Sequence, residues 1–232
     1  MRLAALFSGG KDSAYSVYEA QNRGHHISCL VTVSPVSPDS MLLHHPNAHI
    51  TKIQAASMGI AHLYARSPSD MAMELATLHS LLDEAKTMYH IQGVVHGGIL
   101  SRFQLNAFEK MCGRLGLQLV SPIWQRDQSE YMRALLEAGF RFIICAVASG
   151  GLDHSWLGRE VTMENLRTLE GLSERFGFNL CFEGGEAETL VVDCPLFSSA
   201  ICVKGTPHWD GYRGSFEIEE ATLQSDARRT PG

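Results

Sequence analysis

Apolar positions along this chain switch between two rhythms. Leu3 to Phe7 is an unbroken apolar run after Arg2, as expected of a strand covered on both faces. Lys11–Arg23 repeats at helical spacing and ends at Gly24, a residue suited to the turn that closes a helix. His26–Val33 predicts a second strand, Ile50–Met58 a short helix closed by Gly59, and His62–Ala65 a short third strand. A long helix is expected from Ser69, because Met71, Leu75, Leu78, Leu82, Ala85 and Tyr89 recur at spacings of three and four. A strand at Gly93–His96, a helix at Ser101–Leu115 and a strand at Gln118–Val120 complete this half.

Such alternation implies a mostly parallel, doubly wound α/β sheet, Rossmann-like in character. Ligands on these sheets bind outside the carboxyl ends of the strands. The stretches "SGGKDS", "TVS" and "HGGILS" follow strands one, two and four and so fall at that edge. From "SPIW" (Ser121–Trp124) the rhythm changes. A helix over Ser129–Ala138, a strand over Arg141–Ala148, the loop "ASGGLDHSWLG" and a helix over Thr162–Phe176 follow. Then come "FEGGEAETL", "VDCPLF" and short strands near Ala200–Val203 and Ser215–Ile218. A boundary near residue 121 therefore separates a domain over 1–121 from a smaller α+β domain over 122–232, with "SDARRTPG" as a loose tail.

Composition narrows the function classes. The 232 residues and 45% apolar content suit a soluble chain with a sizeable core. A net charge of −6 argues against a general nucleic-acid or anionic-membrane surface. No apolar run reaches transmembrane length and no basic-then-apolar leader opens the chain, so a cytoplasmic protein is expected. The six cysteines form no CxxC pair; Cys145 in "FIICAVA" is typical, and they read as small buried hydrophobes. His44 and His45 in "LLHHPNAH" read as loop residues without ligand geometry.

"SGGKDS" carries the most specific chemistry. It is not a P-loop, which needs a glycine five residues before the Gly-Lys pair and Ser or Thr after the lysine; Ala5 and Asp12 stand there. It is still an anion site by physics. Gly9 and Gly10 let the backbone turn tightly and approach a phosphate. Successive amides and a helix start supply positive ends, Lys11 a charge, Ser8 and Ser13 hydroxyls. Asp12 would repel a bare phosphate and makes sense as a ligand of a bridging Mg²⁺.

With its strand before and helix after, "SGGKDS" resembles the pyrophosphate-binding loop of the N-type ATP pyrophosphatases, whose fold is the adenine nucleotide alpha hydrolase type. Further stretches resemble the diphthine–ammonia ligase family: "HITKIQAASMGI", "GGILSRFQ", "CGRLGLQLVSPIWQRDQSEYM", "GLDHSWLGR" and "FEGGEAETLVVDCPLF". The likeness spans nearly the whole chain, and the compact archaeal members are the most similar in size. It implies amidation of diphthine on translation elongation factor two, with ammonium as the nitrogen source. The step runs through an acyl-adenylate, consuming ATP with Mg²⁺ and releasing AMP and pyrophosphate.

The same likeness implies roles. Ser8, Gly9, Gly10, Lys11 and Ser13 would hold phosphates, and Asp12 the magnesium. Val33 would lie near adenine, Gly97 and Gly98 would allow close backbone approach, and Ser101 and Gln104 would sit near the α-phosphate. Lys11, Asp12, Glu183 and Glu186 are the candidate catalytic groups. Glu183, Gly184, Gly185, Glu186, Glu188 and Trp156 would meet the substrate, whose trimethylammonium suits carboxylates or an aromatic face. The expected partners are the factor and ammonium, without membrane or stable nucleic-acid binding, and a homodimer is left open. Ala107 stands where the family often carries a basic residue. Two rival readings are another enzyme of the superfamily acting on tRNA, and an ATP-binding sensor without turnover. The missing cysteine pairs weigh against the first, and the intact "SGGKDS" against the second.

Overall fold

The apolar run after Arg2 forms β1 (Arg2–Leu6), the middle strand of a five-stranded sheet. The structure, a computed structural model, describes residues 1–36, 47–68 and 70–224. His44, His45, Ser69 and the tail 225–232 lie outside them. The chain divides into two compact units, Met1–Trp124 and Gln125–Gly232.

In the first unit, β1 leads through α1 (Lys11–Asn22) to β2 (His26–Pro35), then through α2 (Thr51–Met58) to β3 (Ala61–Ser67). α3 (Met71–Tyr89) returns the chain to β4 (Gly93–Val95), and α4 (Arg102–Leu115) leads to β5 (Gln118–Val120). The strand order is β3-β2-β1-β4-β5, and all pairs are parallel. The doubly wound sheet expected from the alternation is present. Its direction of winding reverses between β1 and β4, so the loops after these two strands flank the switch point. Alternation along β2 sends Val31 and Val33 into a core with Leu78, Leu82, Val94, Phe108 and Met111, beneath α3 and α4.

Three details differ from expectation. β3 is longer than His62–Ala65 because its pairing with β2 runs on to Pro35 and Ser67. A short 3-10 turn, Ala48–Ile50, precedes α2. The long helix begins behind Asp70, whose carboxylate accepts from the Ala72 and Met73 amides.

The second unit contains α5 (Gln128–Glu137), β6 (Arg141–Val147), α6 (Met163–Phe176), β7 (Ala187–Asp193), β8 (Ile201–Trp209) and β9 (Gly214–Leu223). Its four-stranded antiparallel sheet has the order β7-β6-β9-β8. β7 was not anticipated as a strand, and the two short strands near residues 200 and 215 are one long hairpin. Little of that hairpin is buried. Cross-strand pairs hold it: Lys204 with Glu220 at 2.8 Å, Thr206 with Glu219 at 2.7 Å, and His208 with Glu217 at 3.0 Å.

Candidate functional site

The chain leaves β1 at Phe7 and turns at Gly9, whose φ of 83° is open to glycine and costly for other residues. Gly10 is the N-cap of α1 and, having no side chain, leaves the first turn without a side-chain cap. α3, α4, α5 and α6 all have one, from Asp70, Ser101, Asp127 and Thr162. The two serines brace the loop. Ser13 Oγ donates to the Gly10 carbonyl at 3.1 Å, so it must accept from the Ser8 hydroxyl at 3.0 Å and the Ser8 amide at 3.2 Å. Ser8 Oγ in turn accepts from the Gly10 amide at 3.3 Å. Lys11 is only 1% exposed, and its ammonium lies 2.9 Å from each oxygen of the Asp12 carboxylate, which is 32% exposed.

Two other segments close on this loop. From α2, Gln54 Nε2 donates to the Gly9 carbonyl at 2.9 Å. From the end of β4, Gly97 packs so tightly on α1 that a Cβ there would lie 2.9 Å from the Ser13 nitrogen. From the neighbouring strand β2, Thr32 Oγ1 donates to the Phe7 carbonyl at 2.6 Å. It therefore accepts from His62 Nε2 at 2.9 Å. Burial, with Lys52 nearby, pushes the His62 pKa down to about 4, so the ring is a neutral donor.

The acidic turn of the second unit has its own geometry. Glu186 accepts from the Asn179 amide at 3.0 Å through one oxygen and from the Gly184 amide at 2.8 Å through the other. A Cβ on Gly184 would lie 2.6 Å from that carboxylate, which accounts for one glycine of the pair; Gly185, with φ 82°, accounts for the other. The turn is entered through Phe182 at φ 62°, rare for an aromatic residue, with its ring stacked on Phe178. Glu183 and Glu188 flank the turn and are half-buried.

Comparison with known proteins matches both halves. The model of the diphthamide synthase N-terminal domain matches residues 1–119, and that of the diphthamide synthase C-terminal domain matches residues 127–223. This chain belongs to the diphthamide synthase family. A diphthine–ammonia ligase of Danio rerio is 34% identical over 226 residues, covering 89% of this chain and 88% of its own. Those of Mus musculus and Homo sapiens are 34% and 33% identical over 223 residues, each covering 88% of this chain and 83% of its own. A solved structure described as a predicted subunit of tRNA methyltransferase from Methanocaldococcus jannaschii covers 84% of this chain and 98% of its own. Its TM-score of 0.40 at 17% identity is too low to argue from.

Other residues expected at the site of this diphthamide synthase family member have varied placements. Ser101 is the N-cap of α4, accepting from the Gln104 amide at 3.4 Å. The Gln104 side chain bonds His96, a residue that sequence reasoning passed over. Val33 belongs to the core under α3 and α4, so its side chain is not at the strand edge. Trp156 is 4% exposed and carries the Arg159 guanidinium over its ring at 4.8 Å, so its face is already covered. Asp153, a turn residue of the loop after β6 rather than an expected site residue, accepts from the Ser155 hydroxyl and amide, which hold its pKa below the usual carboxylate value. Ala107 lines an apolar groove of about 740 Å³ between α3 and α4, with Leu75, Phe103 and Met111. All six cysteines are free, and Cys202 alone is exposed. Among the described residues no helix is long and apolar enough to cross a membrane.

Gln54 lies in the family-like stretch "HITKIQAASMGI", but nothing local points to its contact, because it lies 45 residues from the glycine it holds. His96 had a faint one, standing directly before Gly97-Gly98 at a strand end.

Proposed function

We propose that this member of the diphthamide synthase family converts diphthine on translation elongation factor two to diphthamide, consuming ammonium and ATP and releasing AMP and pyrophosphate. The observation that carries the reading is the start of α1. There the positive-φ turn at Gly9, the first turn without a side-chain cap and the buried Lys11 all suit a polyphosphate.

The substrate's carboxylate cannot be attacked directly by ammonia, because its oxygen is a poor leaving group. The carboxylate attacks the α-phosphorus of ATP; the new P–O bond forms as the bond to pyrophosphate breaks. Ammonia then adds to the acyl carbon and AMP leaves with the bonding pair. The first unit binds ATP: the Gly9 and Gly10 amides, Ser8, Ser13 and Lys11 hold the β- and γ-phosphates, and Gly97 and Gly98 bring backbone close to the nucleotide. Ser101 and Gln104 belong to the same edge. Asp12 is a partly exposed oxygen donor at the mouth of the loop, chemistry that fits Mg²⁺. When bound, that ion would offset phosphate charge. Holding charge and position in this way supplies most of the acceleration in such transfers.

The second unit binds the diphthine side chain. Glu183 and Glu188 face the trimethylammonium group, while Glu186 shapes the turn that presents them. The test incubates the protein with ATP, Mg²⁺, ammonium and diphthine-bearing factor, and follows nucleotides and the mass of the factor. Conversion of acid to primary amide with an equal amount of AMP, abolished in Lys11→Ala, is expected. ADP and phosphate as products, or an unchanged factor beside bound ATP, would overturn the reading.

A further inference from the structure

β4 ends at Val95, and His96 takes the next position. Its backbone still follows the strand, with the N–H donating to the Val120 carbonyl at 2.9 Å. Its imidazole turns inward. It is 4% exposed, meets Phe108 of α4 edge-on with 4.9 Å between ring centres, and bonds Gln104. Nδ1 is buried without a hydrogen-bond partner, so the bond to Gln104 falls to Nε2. Burial pushes the pKa down to about 4, which leaves the ring neutral.

This ring stands where a side chain on Gly98 would have to go. A Cβ there would lie 2.3 Å from Cε1 and 2.8 Å from Nε2. Gly97 turns its open side to α1, where a Cβ would lie 2.9 Å from the Ser13 nitrogen and 3.0 Å from the Asp12 carbonyl carbon. The imidazole, the two glycines and the first turn of α1 are therefore in continuous contact, without room for one methyl group between them. Close-packed layers of this kind transmit displacement, because neither side has space to absorb it.

We infer that His96 is a positioning residue: its imidazole is the wedge that sets the path of Gly97–Gly98 and, through it, the place of Asp12 and Ser13 in the phosphate loop. Its effect on catalysis rests on the reading of that loop as the ATP site. The mechanical link does not, and is measurable without nucleotide. A histidine that merely fills the core would stabilise the fold and leave the loop where it is.

The test compares the wild type with His96→Ala, Gly98→Ala and the double variant. Backbone hydrogen exchange over residues 8–13 is followed by mass spectrometry in nucleotide-free protein, and KM for ATP and kcat are measured in the amidation assay. In His96→Ala, exchange over the loop accelerates. The KM for ATP rises about tenfold and kcat falls as well, because the loop both binds the nucleotide and positions it for transfer. In Gly98→Ala the new methyl meets the ring and the loop loosens too. In the double variant that methyl enters space the ring has left, so the combined effect is smaller than the sum. His96→Asn, which keeps a polar group for Gln104, takes the place of His96→Ala if that variant does not fold. Wild-type exchange over residues 8–13 in a folded His96 variant, or simple addition of the two effects, would overturn the inference. A loosened loop in a protein whose wild type neither binds ATP nor forms AMP would leave the wedge standing and remove the ligase reading.

Discussion

Gln54 reaches from α2 to the "SGGKDS" loop and donates to the Gly9 carbonyl at 2.9 Å. The contact is close on both sides, since a Cβ on Gly9 would lie 2.4 Å from Gln54 Oε1 and 3.2 Å from Thr51 Cγ2. Gly9→Ala is therefore expected to fail twice. The left-handed backbone costs about 1–2 kcal/mol for a residue with a Cβ, and the methyl drives Gln54 out of place. Thermal unfolding should register the loss, and KM for ATP should rise. Adding Gln54→Ala should relieve the crowding but not the backbone cost. Full recovery in that pair would show that φ at Gly9 is not a constraint.

Lys11 is buried yet pairs with a carboxylate that still reaches solvent. Lys11→Met keeps the volume and apolar stem and removes the charge. Asp12 retains water after the change, so the melting temperature should hardly move. AMP formation should fall by about 10²–10³-fold, the usual effect of removing one charge-stabilising group from a polar transition state. Lys11→Arg should not rescue it, since a planar guanidinium does not fit a site enclosed around an ammonium. Near-normal AMP formation in Lys11→Met would place the phosphates elsewhere.

On the proposed reading, Glu186 and Glu183 in the acidic turn should respond differently to substitution. Glu186 holds two backbone amides, so Glu186→Ala should lower the stability of the second unit by about 1–3 kcal/mol. Glu183→Gln should weaken use of the modified factor without changing KM for ATP. Chemical denaturation and substrate-specific kinetics distinguish the two. A reversed pattern would exchange the roles of these carboxylates.

His62 and His96 give the fold a pH dependence of defined sign. Each has its pKa lowered from 6.5 to about 4, first of all by burial. In the unfolded chain both rings take up protons near 6.5, whereas the folded chain resists until about 4. Stability from this source is complete above 6.5 and falls as pH drops towards 4, by at most about 1.4 kcal/mol per unit for the buried His96 ring and by less for His62, which solvent still screens. Denaturant midpoints across that window should decline, and less steeply in His96→Asn. Equal slopes in variant and wild type would mean that protons reach the folded His96 ring as easily as the unfolded one.

Much of the first unit was legible in the sequence. The switch between strand and helix periods reports which faces are apolar, and short parallel crossovers leave few ways to arrange such elements. The form of the loop after β1 was legible for a local reason. Tight turn, helix start, lysine and aspartate are all specified within the six residues of "SGGKDS". The polar hairpin β8–β9 was less so, because its strands are held by cross-strand pairs whose partners depend on register rather than on an apolar pattern.

What the sequence by itself determined is thus the order of elements and the turn and helix start of the loop, because both follow from residues that are neighbours in the chain. Only the tertiary structure decided which face of β2 Val33 takes, that Trp156 is already covered by Arg159, that Gln54 reaches the Gly9 carbonyl, and that the His96 ring stands against Gly98. Those outcomes depend on contacts between segments distant along the chain. Periodicity says that a side chain is inside; packing alone says what it touches.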